Sequence, residues 1–167
     1  MARVFLLNLV LATFWAAIAQ AQTPMEFVVD MLIGYAIGFA VLSLFEREYP
    51  RRTLRSIGFI IFLIWEVIKS NFILAWYILR PDTRDKLSPA IIAVPLDVDT
   101  EIEITILASA ITLTPGTLTV DIGYDQEGRR VLFIHELLLD DADEFRRQIK
   151  QGFERRILAI SKGDAQP

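Results

Sequence analysis

The sequence predicts an α-helical membrane hairpin, then a long third helix that either lies in the membrane interface or crosses the bilayer. A small α/β domain follows, with a mixed sheet of about three strands and two helices. Three observations predict this. Residues 1–80 are almost continuously apolar, while residues 81–167 read as an ordinary soluble domain. Residues 27–45 carry no charge except Asp30, and Arg47, Arg51, Arg52 and Arg55 follow at once. An apolar stretch of that length with basic residues at one end is the pattern of a span with a cytoplasmic flank. Charge is also divided unevenly: residues 1–89 hold nine Lys/Arg against seven Asp/Glu, and residues 90–167 hold eight against fourteen.

The first apolar segment covers about residues 4–20, interrupted by Asn8, Thr13 and Gln20. A secretory signal would also show a basic start and an apolar stretch, and Ala19-Gln20-Ala21 has the small-x-small form of a cleavage site. The single charge at Arg3, the late Trp15 and a second apolar run only a few residues on argue for a tight hairpin instead. Pro24 is well placed to open the next helix. That second segment, about 26–45, contains Gly34-x-x-x-Gly38, which lets another backbone approach closely. The partner is either the first segment or another subunit, and a lone small-xxx-small pair does not separate the two.

The third helix, about 54–79, is long enough to span, yet Glu66, Lys69, Ser70 and Asn71 sit near its middle. Glu66 shares a helix face with Lys69 and Ser70. Charges at mid-bilayer depth are costly and face protein or water. Either the helix spans and pairs Glu66 with Lys69 or a partner, or it lies along the interface with its polar stripe outward. Arg80, Arg84 and Lys86 follow its end, and keeping them with the 47–55 loop on the cytoplasmic side favours two spans plus an interfacial helix. Glu66 as a proton relay competes with Glu66 as half of a structural ion pair; a base so close in sequence favours the pair.

Residues 81–89 form a polar, proline-bounded linker, 90–162 the α/β domain and 163–167 a tail. Residues 90–96 read as a buried strand. Residues 101–106 alternate like a strand but run into Leu107-Ala108-Ser109-Ala110, which favours helix. Thr114-Pro115-Gly116-Thr117 fits a type II turn. Residues 118–122 and 131–137 read as strands joined by a turn at Gln126-Glu127-Gly128. Phe145, Ile149, Phe153, Ile157 and Ile160 recur at helical spacing behind an acidic start at residues 140–144, matching the helix dipole.

Chemistry is hard to place on this chain. With no cysteine and one histidine, His135, there is no disulfide, thiolate site or histidine pair for a metal. Ser109 lacks a base in reach, and no phosphate-cradling glycine loop occurs. Asp97, Asp99, Glu101 and Glu103 form an alternating acidic series that reads as a solvated face. An acidic domain on a membrane base gives nucleic acid no basic face to bind. No catalytic, cofactor-binding or metal residue is expected, and the chain is not expected to be an enzyme.

The run from Ile111 to Val120, ITLTPGTLTV, with Asp121 after it and then Leu132-Phe-Ile-His-Glu136, resembles the E subunit of the Mrp-type multisubunit cation/proton antiporters. The resemblance extends through the hairpin, the basic loop and the third helix, and so covers nearly the whole chain. It implies an accessory, non-catalytic subunit in the cell membrane of a prokaryote, with a cytoplasmic C-terminal domain. The implied partners are the large many-spanning subunits, other small membrane subunits and the lipid bilayer, with no cofactor. Thr112, Thr114, Pro115, Gly116, Thr117 and His135 are the matching motif positions; the resemblance gives them no chemistry and leaves them as fold-defining or subunit-contacting. Gly34, Gly38, Glu66 and Lys69 are the candidates for membrane contact or ion pairing. A membrane-anchored module that binds a ligand or peptide on its own is the alternative.

Overall fold

A computed structural model describes residues 2–79 and 87–162. Most of the 81–89 linker, the basic positions Arg80, Arg84 and Lys86, and the 163–167 tail lie outside the described residues. The chain forms two compact units that divide between Leu54 and Arg55.

In the first unit, α1 (Ala2–Ile18) and α2 (Pro24–Phe45) form a helical hairpin, followed by the opening turns of α3 (Glu48–Ile78). The start of α2 is fixed by its sequence. The Thr23 hydroxyl accepts the Glu26 N–H at 3.2 Å, and the Glu26 carboxylate accepts the Gln22 N–H at 2.7 Å. With Pro24 at the first helical position, these bonds satisfy donors that a helix start leaves open. Small residues make the seam: Ala12 and Ala16 of α1 are buried, as are Gly34 and Gly38 of α2.

The second unit contains the rest of α3, then β1 (Ala90–Pro95), α4 (Glu101–Thr112), β2 (Thr117–Tyr124), β3 (Arg130–Glu136), α5 (Ala142–Gln148), a π-helical turn (Ile149–Glu154) and α6 (Arg155–Ser161). The sheet order is β1-β3-β2 and both pairings are antiparallel. The expected mixed sheet is therefore corrected. The β1-α4-β2 crossover does make β1 and β2 parallel, but the tight hairpin at Asp125–Gly128 returns β3 between them, so the two never pair. Val120 is an extra residue in β2, between the Thr119 and Asp121 pairings, and bulges the outer strand.

The alternation at 101–106 belongs to a helix. Thr100 and Glu103 close a reciprocal capping box, which fixes the helical start. Ile104, Leu107 and Ile111 then fall on one buried face. They meet Ile92, Val94, Leu132 and Ile134 of the sheet and Ile149, Phe153 and Ile157 of the C-terminal helices, and Phe59 of α3 joins the same core. Burying each such side chain contributes about 1.5–3 kcal/mol, so this one face commits the segment to helix over its local pattern.

Candidate functional site

The helical face of the sheet carries a cleft of about 640 Å³ between α3 and the α/β domain. From α3 it is lined by Phe62, Glu66, Lys69 and Ser70, with Ile73, Leu74 and Tyr77 beyond. The Thr114-to-Thr117 turn and Glu136 form another part of the wall, and residues 138–141 with Glu144 and Phe145 complete the rim. Two groups of sequence candidates, the mid-helix charges and the threonine–proline–glycine motif, thus share one cleft.

The Lys69 ammonium donates to both Glu66 oxygens, at 3.0 and 2.8 Å, and the pair sits on one turn of helix. The motif closes α4. A helix leaves its last carbonyls without intrahelical donors, and here threonine hydroxyls take them. Thr114 donates to the Ala110 carbonyl at 3.2 Å, Thr117 reaches the Ile111 carbonyl at 2.6 Å, and Thr119 reaches the Ala108 carbonyl at 3.1 Å. Gly116 has φ +99°, a backbone that a side chain disfavours, and its turn is closed by the Thr117 N–H on the Thr114 carbonyl at 3.2 Å. Thr112 accepts the Thr119 N–H at 3.2 Å. Every threonine of the run therefore has a folding task.

Glu136 is half-buried at the cleft. Burial pushes its carboxyl up, opposed by the Leu138 N–H that one oxygen accepts at 3.2 Å and by neighbouring His135. His135 itself points the other way. It alternates with the core-facing Leu132 and Ile134 and pairs across to Ile91 and Leu118, so it lies on the sheet face away from the cleft.

In the first unit, Gly34 and Gly38 are occupied by α1. A Cβ on Gly34 would stand 2.9 Å from Trp15 Cβ and 3.1 Å from Ala12 Cα; one on Gly38 would stand 2.1 Å from Asn8 Oδ1. Asn8, fully buried, donates to the Tyr49 hydroxyl at 2.9 Å. The glycine pair is placed inside the hairpin.

The comparisons with known proteins agree with this arrangement of parts. A family model described as "Na+/H+ ion antiporter subunit" matches residues 8–160. The chain belongs to the family of Na+/H+ antiporter E subunits. The Na(+)/H(+) antiporter E subunit of Alkalihalophilus pseudofirmus is 35% identical, over 97% of this chain and all of that protein. The probable K(+)/H(+) antiporter E subunit of Rhizobium meliloti is 30% identical over 86% of this chain and 88% of its own length. Among solved structures, a chain of the membrane-bound sulfane sulfur reductase, an archaeal respiratory membrane complex, superposes with a TM-score of 0.58 at 25% identity, covering 96% of this chain and 99% of that one.

In this member of the family, sequence reasoning missed three groups. The acidic series at 97–103 is exposed at Asp97, Asp99 and Glu101, as expected of a solvated face; what the sequence did not show is their pairing and the burial of Glu103. Asp97 pairs with Lys150 at 2.7 Å, Asp99 with Lys162 at 2.8 Å and Glu101 with Arg130 at 2.8 Å, while Glu103 is buried in its capping box. Thr100-x-x-Glu103 was the available signal. Glu154, 1% exposed, accepts the Asp97 and Val98 N–H groups at 2.5 and 3.0 Å and pairs with Lys150 at 2.9 Å. Its only sequence cue is a lysine four residues earlier. Asn8 found its partner 41 residues away, and nothing local announces that.

Proposed function

We propose that this chain is an accessory, non-catalytic subunit of a multisubunit Na+/H+ antiporter, needed for the assembly or integrity of the complex that exchanges monovalent cations for protons. The family match across nearly the whole chain carries this reading. Related E subunits are named for sodium in one case and for potassium in another. That fits a subunit that braces the complex while other subunits choose the ion.

The topology that fits best is two spans, α1 and α2, with α3 in the interface and residues 90–162 cytoplasmic. α2 is an apolar helix of 22 residues, about 33 Å long and enough to cross. α3 is two-faced. Ile57, Ile60, Ile61, Ile64, Trp65 and Ile68 are exposed on one side. On the other side, Arg55, Phe59, Phe62 and Leu63 of its first half contact the α/β domain. Arg55 donates to the Ala159 carbonyl at 3.0 Å, and the Phe62 ring meets Phe153 at 5.2 Å between centroids, under the Arg156 guanidinium. A helix whose first half is tied to a charged domain would draw that domain toward the hydrocarbon if it stood across the bilayer. One lying in the interface buries its apolar face in lipid. The expected 47–55 loop is instead the start of α3, and its Arg51, Arg52 and Arg55 then belong to the cytoplasmic side.

Purification through a C-terminal tag from native membranes in mild detergent tests the assignment. Co-recovery of large many-spanning proteins with several small membrane subunits is expected. Recovery of the chain alone, folded and monodisperse, would replace this reading with a stand-alone binding module. Because the chain has no cysteine, Ile91→Cys also reports topology: a membrane-impermeant maleimide should label it only after the cells are opened, and labelling in intact cells would refute the cytoplasmic placement.

A further inference from the structure

We propose that the cleft between α3 and the α/β domain seats a basic cytoplasmic loop of a neighbouring many-spanning membrane subunit. This rests on the cytoplasmic placement and the accessory role proposed above. The cleft's volume, about 640 Å³, suits a few side chains of a turn rather than a whole helix.

Its charge is one-sided. Glu66, Glu136, Asp140, Asp141 and Glu144 line it against Lys69 as the one basic side chain among the described lining residues. Lys69 is already held by both oxygens of Glu66. Asp141 spends one oxygen on the N–H groups of Asp143 and Glu144 at the start of α5, and Glu144 pairs with Arg147 outside the cleft. Glu136 and Asp140 carry the rest of the excess.

The walls are apolar where a cation's stem would lie: Phe62, Ile73, Leu74 and Phe145 flank the carboxylates. Lys and Arg present that combination, an alkyl stem ending in a charged head. An ammonium or guanidinium beside the half-buried Glu136 would replace the water its burial removes. Polytopic membrane proteins concentrate Lys and Arg in their short cytoplasmic loops, at the level where an interfacial α3 holds the cleft. Neither a lipid tail nor a second acidic copy of this domain supplies that charge.

The test uses the assembled complex and the absence of native cysteine. Gln148→Cys, on the cleft, and Ile91→Cys, on the opposite sheet face, are each labelled with a benzophenone maleimide, irradiated and mapped by mass spectrometry. Adducts from Gln148→Cys should fall on a Lys/Arg-bearing loop of a many-spanning subunit, and those from Ile91→Cys should not. Adding Glu136→Gln with Asp140→Asn should lower the cleft adduct roughly fivefold, as expected for losing rim-exposed charge pairs. An intact complex with no cleft adduct, or with adducts on lipid, on an apolar helix or on a second copy of this chain, overturns the cleft assignment alone. A complex that does not co-purify overturns the accessory-subunit reading and this one with it.

Discussion

Glu154 holds the loop between β1 and α4 through a single oxygen, and removing it should release that loop. Its Oε1 takes two backbone N–H groups, from Asp97 and Val98, while Oε2 faces Lys150. Glu154→Ala leaves a buried and a part-buried donor without an acceptor and breaks a pair with one partner wholly buried. Hydrogen bonds to a charged group contribute about 1.5–3 kcal/mol each, and breaking a buried pair from one side costs about 3–5 kcal/mol. Lys150 keeps Asp97 as a second partner and is a quarter exposed, so the lower end, about 3 kcal/mol, is expected. Glu154→Gln retains an oxygen for both N–H groups and should cost about 1 kcal/mol. Amide hydrogen exchange on the full chain reads this directly: the Asp97 and Val98 amides should exchange roughly a hundredfold faster in Glu154→Ala, and much less so in Glu154→Gln. Equal protection in wild type and Glu154→Ala, or equal loss in both variants, would refute the anchoring role.

Two further outcomes follow from the same kind of argument. Gly38→Ala drives a methyl onto Asn8 Oδ1, so Asn8 must leave Tyr49 or the helices must part, at about 1–3 kcal/mol; the yield of an engineered α1–α2 disulfide should fall, and an unchanged yield would contradict the seam. Burial alone would raise the Glu103 carboxyl, but bonds from Ser161, Thr100 and Asp99 outweigh it and hold it at about 2 against an ordinary 4.5. A lowered folded value stabilises above pH 4.5 and is lost as pH falls toward 2, a contribution of about 3 kcal/mol; denaturant midpoints should drop through that window, and Glu103→Gln should flatten it.

The apolar helical hairpin was legible because hydropathy averages over many residues; the boundary of the compact units at Leu54, inside α3, was not. The 142–161 helix was legible because Phe145, Ile149, Phe153 and Ile157 repeat at one spacing. The Pro115-Gly116 turn was legible because few residues tolerate its geometry. What the sequence hid was pairing over distance. Residues 101–106 stayed open between strand and helix because alternating charge and aliphatic side chains fit two periods, and the burial of Ile104 and Leu107 decided between them. The cleft could not be read at all, since Phe62 and Glu136 are brought together only by α3 lying along the sheet domain. Glu66 and Lys69 were legible as a pair, but not as the wall of anything.

The bulge at Val120 has a bearing on the time before assembly. β2 is an outer strand whose Leu118, Val120, Ile122 and Tyr124 are all exposed, the makings of a template for strand-to-strand aggregation. An extra residue breaks the ladder's repeat. Thr112 holds the Thr119 N–H and Asp121 holds the Ile122 N–H at 2.8 Å, so little of the edge is left for a stranger to copy. A subunit that must wait in the membrane for its partners is thereby kept from finding the wrong one in its own kind.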